Sequence, residues 1–399
     1  MPNTPFLAGA ATRIITPPLG ERPVFLAGFE GNRRATAVHS DLYARALALR
    51  LGDQVAILVA CDLIGLERGD VEEIRAVLPV RDIDPNGLVV ACTHTHSGPD
   101  TLGLWGPDQA TSGVDPVYMA AVKRAVAEAA VEALTFGCPV RMRAAMTKLP
   151  GYIANYRTPG LVDDEVAVIQ FERPNGEILA TLLNLACRPE VLTTESKLIS
   201  ADYPGAACHA VEQAVGGVAL HVSGALGGML SPAIDERNVD GVAAMGRAYA
   251  ETALAALTQS ELLDVTRMDL RRTTFRVPLQ NQMFSIAQDA GLRRRRPLEN
   301  GQLTTSCAYI DLGPAQIISV PGELLPRQGF ELKAALPGPV RVLAGLADDE
   351  LGYILPDDEF FFPADYTNPG AQYEESMSVG PRTGSLVLAA AKGLIQRNA

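Results

Sequence analysis

The chain is poor in the groups from which several common sites are built. Among 399 residues there are five histidines and one tryptophan, and aromatic residues make up 6%. The six cysteines, at 61, 92, 138, 187, 208 and 307, are scattered. None forms a Cys-x-x-Cys pair, which excludes a thiolate zinc knot and a thioredoxin-like couple. Most lie in apolar stretches, as reduced, buried thiols of a cytosolic protein do. Basic residues are in the minority, and the net charge is −12. That balance repels phosphate backbones, so nucleic acid is not an expected partner. No apolar run approaches the roughly 20 residues of a spanning helix. The opening "MPNTPFLAGAATRIITPP" lacks the basic-then-apolar pattern of an export signal. A cytoplasmic location without an integral membrane segment is therefore expected. Neither Gly-x-x-x-x-Gly-Lys-[Ser/Thr] nor Gly-x-Gly-x-x-Gly after a strand occurs, which removes the usual nucleotide cradles.

What is present is apolar material, 47% of the chain, enough for a large core. Short apolar or alternating runs read as strands: "ARALALRL", "VAILVACD", "GLVVACTH", "VRMRAAM", "VAVIQFE", "ILATLLNLA", "VALHVSGA", "CAYIDL", "AQIISVPG" and "VRVLAGLA". Helical spacing of apolar residues appears over 117–134, 205–215 and 241–257, and in the C-terminal "TGSLVLAAAKGLI". Strands mixed with helices predict an α/β protein with a large mixed β-sheet core and flanking helices. "RPNGEI" (173–178) predicts a hairpin, so part of the sheet is antiparallel. No linker or internal repeat is visible. "LRRRRPLEN" (292–300) reads as a solvated helix end or loop. "DEFFFPADY" (358–366) reads as core or as the lining of an apolar mouth.

The run "LVVACTHTHSGPD" (88–100) holds two of the five histidines, His94 and His96. Residues two apart in an extended chain share a face. Both rings are thus expected on one side of a strand end, with Thr93 and Thr95 on the other. Ligand sites of open α/β sheets lie outside such carboxyl ends. Imidazole there can serve as a metal ligand or as a proton carrier. From the spacing alone, a hydrogen-bonded structural pair stays equally open.

The flanking residues add a resemblance. "ACTHTHSGPD" resembles the Thr-His-Thr-His-Ser-Gly-Pro motif of the neutral/alkaline (non-lysosomal) ceramidase family. "AVHSDLYARALAL" (37–49), "ANYRTPG" (154–160), "LNLACRPEVL…LISADYPG" (183–205), "GALGGMLSP" (224–232), "VPGEL" (320–324), "GLADDELGYILP" (345–356) and "QYEESMSVGP" (372–381) are similar to further family segments, in the family's order. The resemblance implies one ceramidase-like catalytic domain over residues 1–399, without the family's C-terminal immunoglobulin-like domain. It implies Zn2+ held by two histidines, a glutamate and a tyrosine. Carried over position by position, it makes His94, Glu323 and Tyr353 metal ligands and His96 a proton carrier close to the metal. Tyr373 becomes a further active-site tyrosine, Arg157 the oxyanion donor, and Ser231 the proposed nucleophile. The Ser231 loop matches only with an extra residue.

One position departs from the family. Its second histidine ligand falls on Arg188, whose guanidinium has no lone pair to give and repels a cation. Three readings follow. Glu190, Cys187 or His96 completes the metal site; three ligands and water hold the metal in an open site; or the metal is gone and Arg188 supplies the charge. The leading expectation is a zinc-dependent hydrolase of an amide (C–N) bond, ceramidase-like, on a smaller soluble substrate. The alternatives are an esterase or lactonase on the same scaffold, and a metal-free, non-catalytic binding protein. A small-molecule amide or ester is the expected partner, and the oligomeric state is not legible.

Overall fold

Three β-sheets of one design carry consecutive stretches of the chain. The computed structural model describes residues 4–78, 84–294, 296–366 and 368–396. The first sheet contains β1 (Phe6–Ile14), β2 (Tyr43–Leu51), β3 (Gln54–Cys61) and β4 (Leu88–Cys92), with helices α1 (Arg68–Ala76) and α2 (Pro116–Thr135). The second contains β5 (Arg141–Lys148), β6 (Glu165–Glu172), β7 (Ile178–Leu185) and β8 (Val218–Ser223), with α3 (Asp202–Val215) and α4 (Val239–Leu257). The third contains β9 (Asp269–Pro278), β10 (Gln302–Asp311), β11 (Ala315–Ser319) and β12 (Val340–Ala344). Its helices are α5 (Gln282–Asp289), α6 (Pro326–Ala335), α7 (Tyr373–Ser376) and α8 (Thr383–Gln396). In each sheet the first three strands run antiparallel, and a helix then carries the chain to a fourth strand parallel to the third. Two-residue edge strands extend the first sheet at Cys138–Pro139 and the third at Leu298–Glu299. The expected α/β class with mixed sheets is what the chain adopts, as three larger sheets and three two-stranded ones among the described residues in place of one. The repeat lies in topology.

Local chemistry sets several boundaries. Asn175–Gly176 turns β6 into β7, with Glu172 opposite Ile178. Asp115 caps α2 by accepting the Val117 N–H at 2.8 Å, ahead of a proline at the first helical position. Asn238 caps α4 through the N–H groups of Asp240 and Gly241.

Strand alternation divides the core. On β2 to β4, Ala46, Ala48, Ile57, Val59, Leu88 and Val90 face outward against α2. Their neighbours Leu47, Leu49, Leu58, Val89 and Ala91 face inward. The inner cluster also takes Ile169, Phe171, Leu182 and Val222 from the second sheet and Ala308, Ile310, Ile317 and Val342 from the third. Each sheet thus shields one face with helices and gives the other to a shared centre. Each large aliphatic side chain buried there contributes about 1.5–3 kcal/mol. Among the described residues, no helix is long and apolar enough to cross a membrane.

The arginine tract departs from the expectation of a solvated segment. Arg293 and Arg296 are buried, against Glu67 at 2.6 Å and Asp349 at 2.6 Å. Arg294 is the more exposed member and pairs with Asp70 and Glu73; Arg295 lies outside the described residues. The aromatic run 360–362 is divided. Phe360 packs beside Tyr353 in a buried cluster, whereas Phe361 and Phe362 face outward.

Candidate active site

The carboxyl ends of the fourth strands meet. Cys92 N–H donates to Leu346 O at 3.1 Å, and Gly345 N–H donates to Ser223 O at 2.8 Å. Ser223 Oγ donates to Thr93 O at 2.7 Å. The loops leaving these strands, and those leaving the third strands, enclose a cavity of about 50 Å³, room for a few water molecules. His94, His96, Arg188, Glu323, Glu350, Tyr353 and Tyr373 line it, with Ile64, Leu102, Trp105 and Phe284 on the apolar side. Four non-glycine residues with positive φ stand in these loops: His94 (68°), Met229 (54°), Leu346 (47°) and Asp348 (64°). Such conformations persist only where surrounding contacts over-determine them.

The histidines reach the cavity by a different route from the one expected. β4 ends at Cys92, and His94 adopts the left-handed conformation, so an extended strand does not align the pair. His94 Nδ1 lies 2.7 Å from Ile64 O, which leaves Nε2 turned to Glu323 Oε2 at 3.4 Å. The His96 ring stands 5.0 Å from that of His94. Neither of its nitrogens has a hydrogen-bond partner, although Nδ1 is 3.2 Å from Glu190 Oε2. Gly28 makes this placement possible, because a Cβ there would come within 2.3 Å of the His96 ring. Burial, followed by the neighbouring His94, Arg188 and Arg33, holds the His96 pKa well below the ordinary imidazole value, so the ring is neutral.

Arg188 sits at the middle. Its Nη2 donates short hydrogen bonds to Glu323 Oε2 and Tyr353 Oη, and Nη1 lies 2.9 Å from Met229 Sδ. Glu323 and Tyr353 are themselves neighbours in a two-residue parallel pairing. Burial alone would lower the arginine's pKa, but its anionic surroundings hold it well above the ordinary guanidinium range. Burial likewise would raise Glu323, yet Arg188 and His94 bring it down to about 2. Burial pushes Tyr353 well above the usual phenol range, so Tyr353 is neutral and Glu323 is the anion that Arg188 faces.

These residues do not fit a divalent cation. The guanidinium already occupies the space between the two expected oxygen ligands and brings a fixed positive charge. Of the proposed replacements, Glu190 and Cys187 do not line the cavity, and only His96 does. Glu190 stands 3.2 Å from His96 Nδ1. Among the described residues no cluster of histidine, cysteine and carboxylate forms a metal-holding group.

Two other expected site residues do not line the cavity. Arg157 binds Glu374 at 2.9 Å and Glu375 at 2.8 Å, the carboxylates that follow Tyr373 on α7. Ser231 lies in a short antiparallel pair between Leu230–Pro232 and Ile153–Asn155, its Oγ 3.4 Å from Met229 O. Tyr373 does reach the cavity, with its ring 6.2 Å from that of Tyr353.

Among solved structures, a neutral ceramidase from Pseudomonas aeruginosa superposes with a TM-score of 0.78 at 18% identity, covering 99% of this chain and 75% of that one. A ceramidase complexed with C2 gives 0.77 at 19% identity, covering 98% of this chain and 74% of that one. The chain has the ceramidase fold. No family model and no curated protein sequence matches it.

Within the ceramidase fold, two charged cavity residues went unread in the sequence. Glu350 and Arg293 both line the site. The signal for Glu350 was a run of three acids, Asp348–Asp349–Glu350, inside the otherwise apolar "VLAGLADDELGYILP". Arg293 was hidden in a run of like charges, because its partner Glu67 is remote in sequence.

Proposed function

We propose that the protein hydrolyses the C–N bond of a small amide and that Arg188 supplies the positive charge a metal ion would otherwise bring. One observation carries this reading. A buried imidazole whose Nε2 has no partner lines the same cavity as a buried guanidinium that is fixed in orientation and charge. Buried polar atoms are normally satisfied, so idle ones facing a cavity need a reason. Water beside His96 can give its proton to the neutral ring as it attacks a carbonyl. The oxyanion that forms would meet Arg188, whose Nε–H has no partner. Its negative charge would also raise the basicity of the imidazole next to it. Glu323 and Tyr353 hold the guanidinium in place for this work. The small cavity favours a compact substrate over a long-chain one. An ester or lactone carbonyl would be attacked in the same way.

The zinc-dependent form of this reading, with His94, Glu323 and Tyr353 as ligands, requires Arg188 to leave its present partners. The deciding experiment uses protein purified without chelators or a metal-affinity tag. Elemental analysis is paired with turnover of small amides and esters in excess chelator. Undiminished turnover with no stoichiometric metal is expected. Turnover that chelator abolishes and zinc restores would overturn the metal-free form.

A second reading is a binding protein without turnover. The engagement of Arg188 Nη2 by both Glu323 and Tyr353 favours it, because little of the charge is left free. A small amide or carboxylate that raises the melting temperature without being consumed would select it.

A further inference from the structure

The sequence Asp348–Asp349–Glu350 puts three acids side by side in a buried loop, all 3% exposed or less. The first two are fully employed. Asp348 accepts from Val90 N–H at 3.0 Å and faces Arg75 and Arg272. Asp349 accepts from the N–H groups of Arg68 and Glu350 and from Arg296. Glu350 differs. Its Oε1 accepts Gly352 N–H at 2.9 Å, but its Oε2 is buried without a partner. The side chain lines the cavity with His96, Arg188 and Glu323. Gly65 leaves the room it occupies; a Cβ there would come within 3.0 Å of Glu350 Cγ and 3.4 Å of Oε2. Glu67 also leaves one buried oxygen idle, but its other oxygen is held by Arg293; among the described residues Glu350 has only the Gly352 N–H and no ion pair.

We propose that Glu350 is the proton donor to the leaving amine in this cavity, an assignment that rests on the hydrolase reading above. The electrostatics agree with the geometry. Burial, then repulsion from Glu323, outweighs the Gly352 N–H bond and the pull of Arg293 and pushes its carboxyl well above the usual range, so it carries a proton. Its neighbour Glu323 is driven the opposite way. Two carboxyls in one cavity with pKa values pushed apart is how a single site keeps one acid and one anion.

The step balances. Water oxygen forms a bond to the carbonyl carbon while its proton passes to His96, and the C=O π pair moves onto oxygen beside Arg188. The pair returns as the C–N bond breaks, and the departing nitrogen takes its bonding electrons together with the Glu350 proton. Products are a carboxylic acid and an amine. His96, now protonated, returns its proton through water to the Glu350 carboxylate, and both groups are reset.

Glu350→Gln tests this without removing the acceptor for Gly352 N–H, so the loop keeps its anchor. A general acid matters for a poor leaving group and hardly at all for a good one. Turnover of an alkyl amide should fall about 100-fold or more, and that of a nitrophenyl ester by no more than about three-fold. Infrared difference spectra at neutral pH should lose a protonated-carboxyl band in the variant. Equal losses on both substrates, or no loss on the amide, would overturn the assignment, as would absence of that band in the unmodified protein. An unmodified protein that hydrolyses neither substrate, with the band present, refutes the hydrolase reading itself, and the donor role falls with it.

Discussion

Two buried charge clusters lie a few residues apart and behave differently. Around Asp348, both carboxylate oxygens are paired. The carboxylate joins Val90 of β4, Arg75 of α1 and Arg272 of β9, and Arg272 also reaches Leu88 O at 2.6 Å. Around Arg188, the acid Glu323 is paired, but His96 has an idle Nε2 and Glu350 one idle oxygen. An idle guanidinium Nε occurs in both places, at Arg75 and at Arg188, and so marks nothing by itself. Burial of charge therefore does not identify the site. Idle acid and base groups around a cavity do. The Asp348 cluster clamps the first and third sheets together, whereas the Arg188 cluster holds groups in readiness for a partner.

The sharpest break of this comparison is Asp348→Ala. It strands two buried guanidinium groups, and unfolding stability in denaturant should fall by about 3–5 kcal/mol. A loss below about 1 kcal/mol would mean that the clamp is decorative.

On the other side, Arg188→Met combined with Glu323→Gln removes a buried pair together. Stability should change by less than about 1 kcal/mol or rise, because both desolvation costs disappear. Turnover of small amides should fall about 100-fold or more, the scale of a lost oxyanion donor. A large stability loss with turnover intact would reverse the roles assigned to the two clusters.

The rim of the site predicts a pH effect. Burial raises Glu374 to about 7, and the pull of Arg188 and Arg157 only partly offsets it. A carboxyl whose folded pKa is raised stabilises the fold while protonated. That contribution is complete below its unfolded pKa and is lost as pH rises through about 7. Glu374→Gln should therefore flatten the stability difference between mildly acidic and mildly alkaline buffer, by on the order of 2 kcal/mol. Parallel pH profiles for both proteins would count against the assigned shift.

Ser231→Ala should do least. The hydroxyl makes one long contact to Met229 O and does not line the cavity. Turnover within about two-fold and stability within about 0.5 kcal/mol are expected. An inactive but folded variant would restore the serine as nucleophile.

The strands that could be read in the sequence are those whose apolar residues crowd together, because they face a core on one or both sides. β1, "FLAGAATRI", escaped because alanine and glycine blur its alternation. β9, "DLRRTTFRVP", escaped because its charged residues, most of them half exposed, break the apolar alternation, although all ten residues pair with β10. The cavity residues His94, His96, Arg188, Glu323, Tyr353 and Tyr373 were legible through motif resemblance, and the misfit of Arg188 as a ligand through its chemistry alone. The left-handed turn at His94, the ties of Arg157 and the idle oxygen of Glu350 depend on contacts between remote segments, which no local pattern encodes.

The threefold architecture also bears on the order of events in folding. His94 and His96 leave the first sheet, Arg188 the second, and Glu323, Glu350 and Tyr353 the third. Strand pairings inside each sheet are comparatively local and can form early. The Arg188–Glu323 pair can lose its water only after all three sheets have docked. Pulse-labelled hydrogen exchange should accordingly protect amides in β2, β6 and β10 before those of Glu323 and Tyr353, which are tied to Gly352 O and Met377 O. A chain stalled before that last docking would present folded sheets and no chemistry.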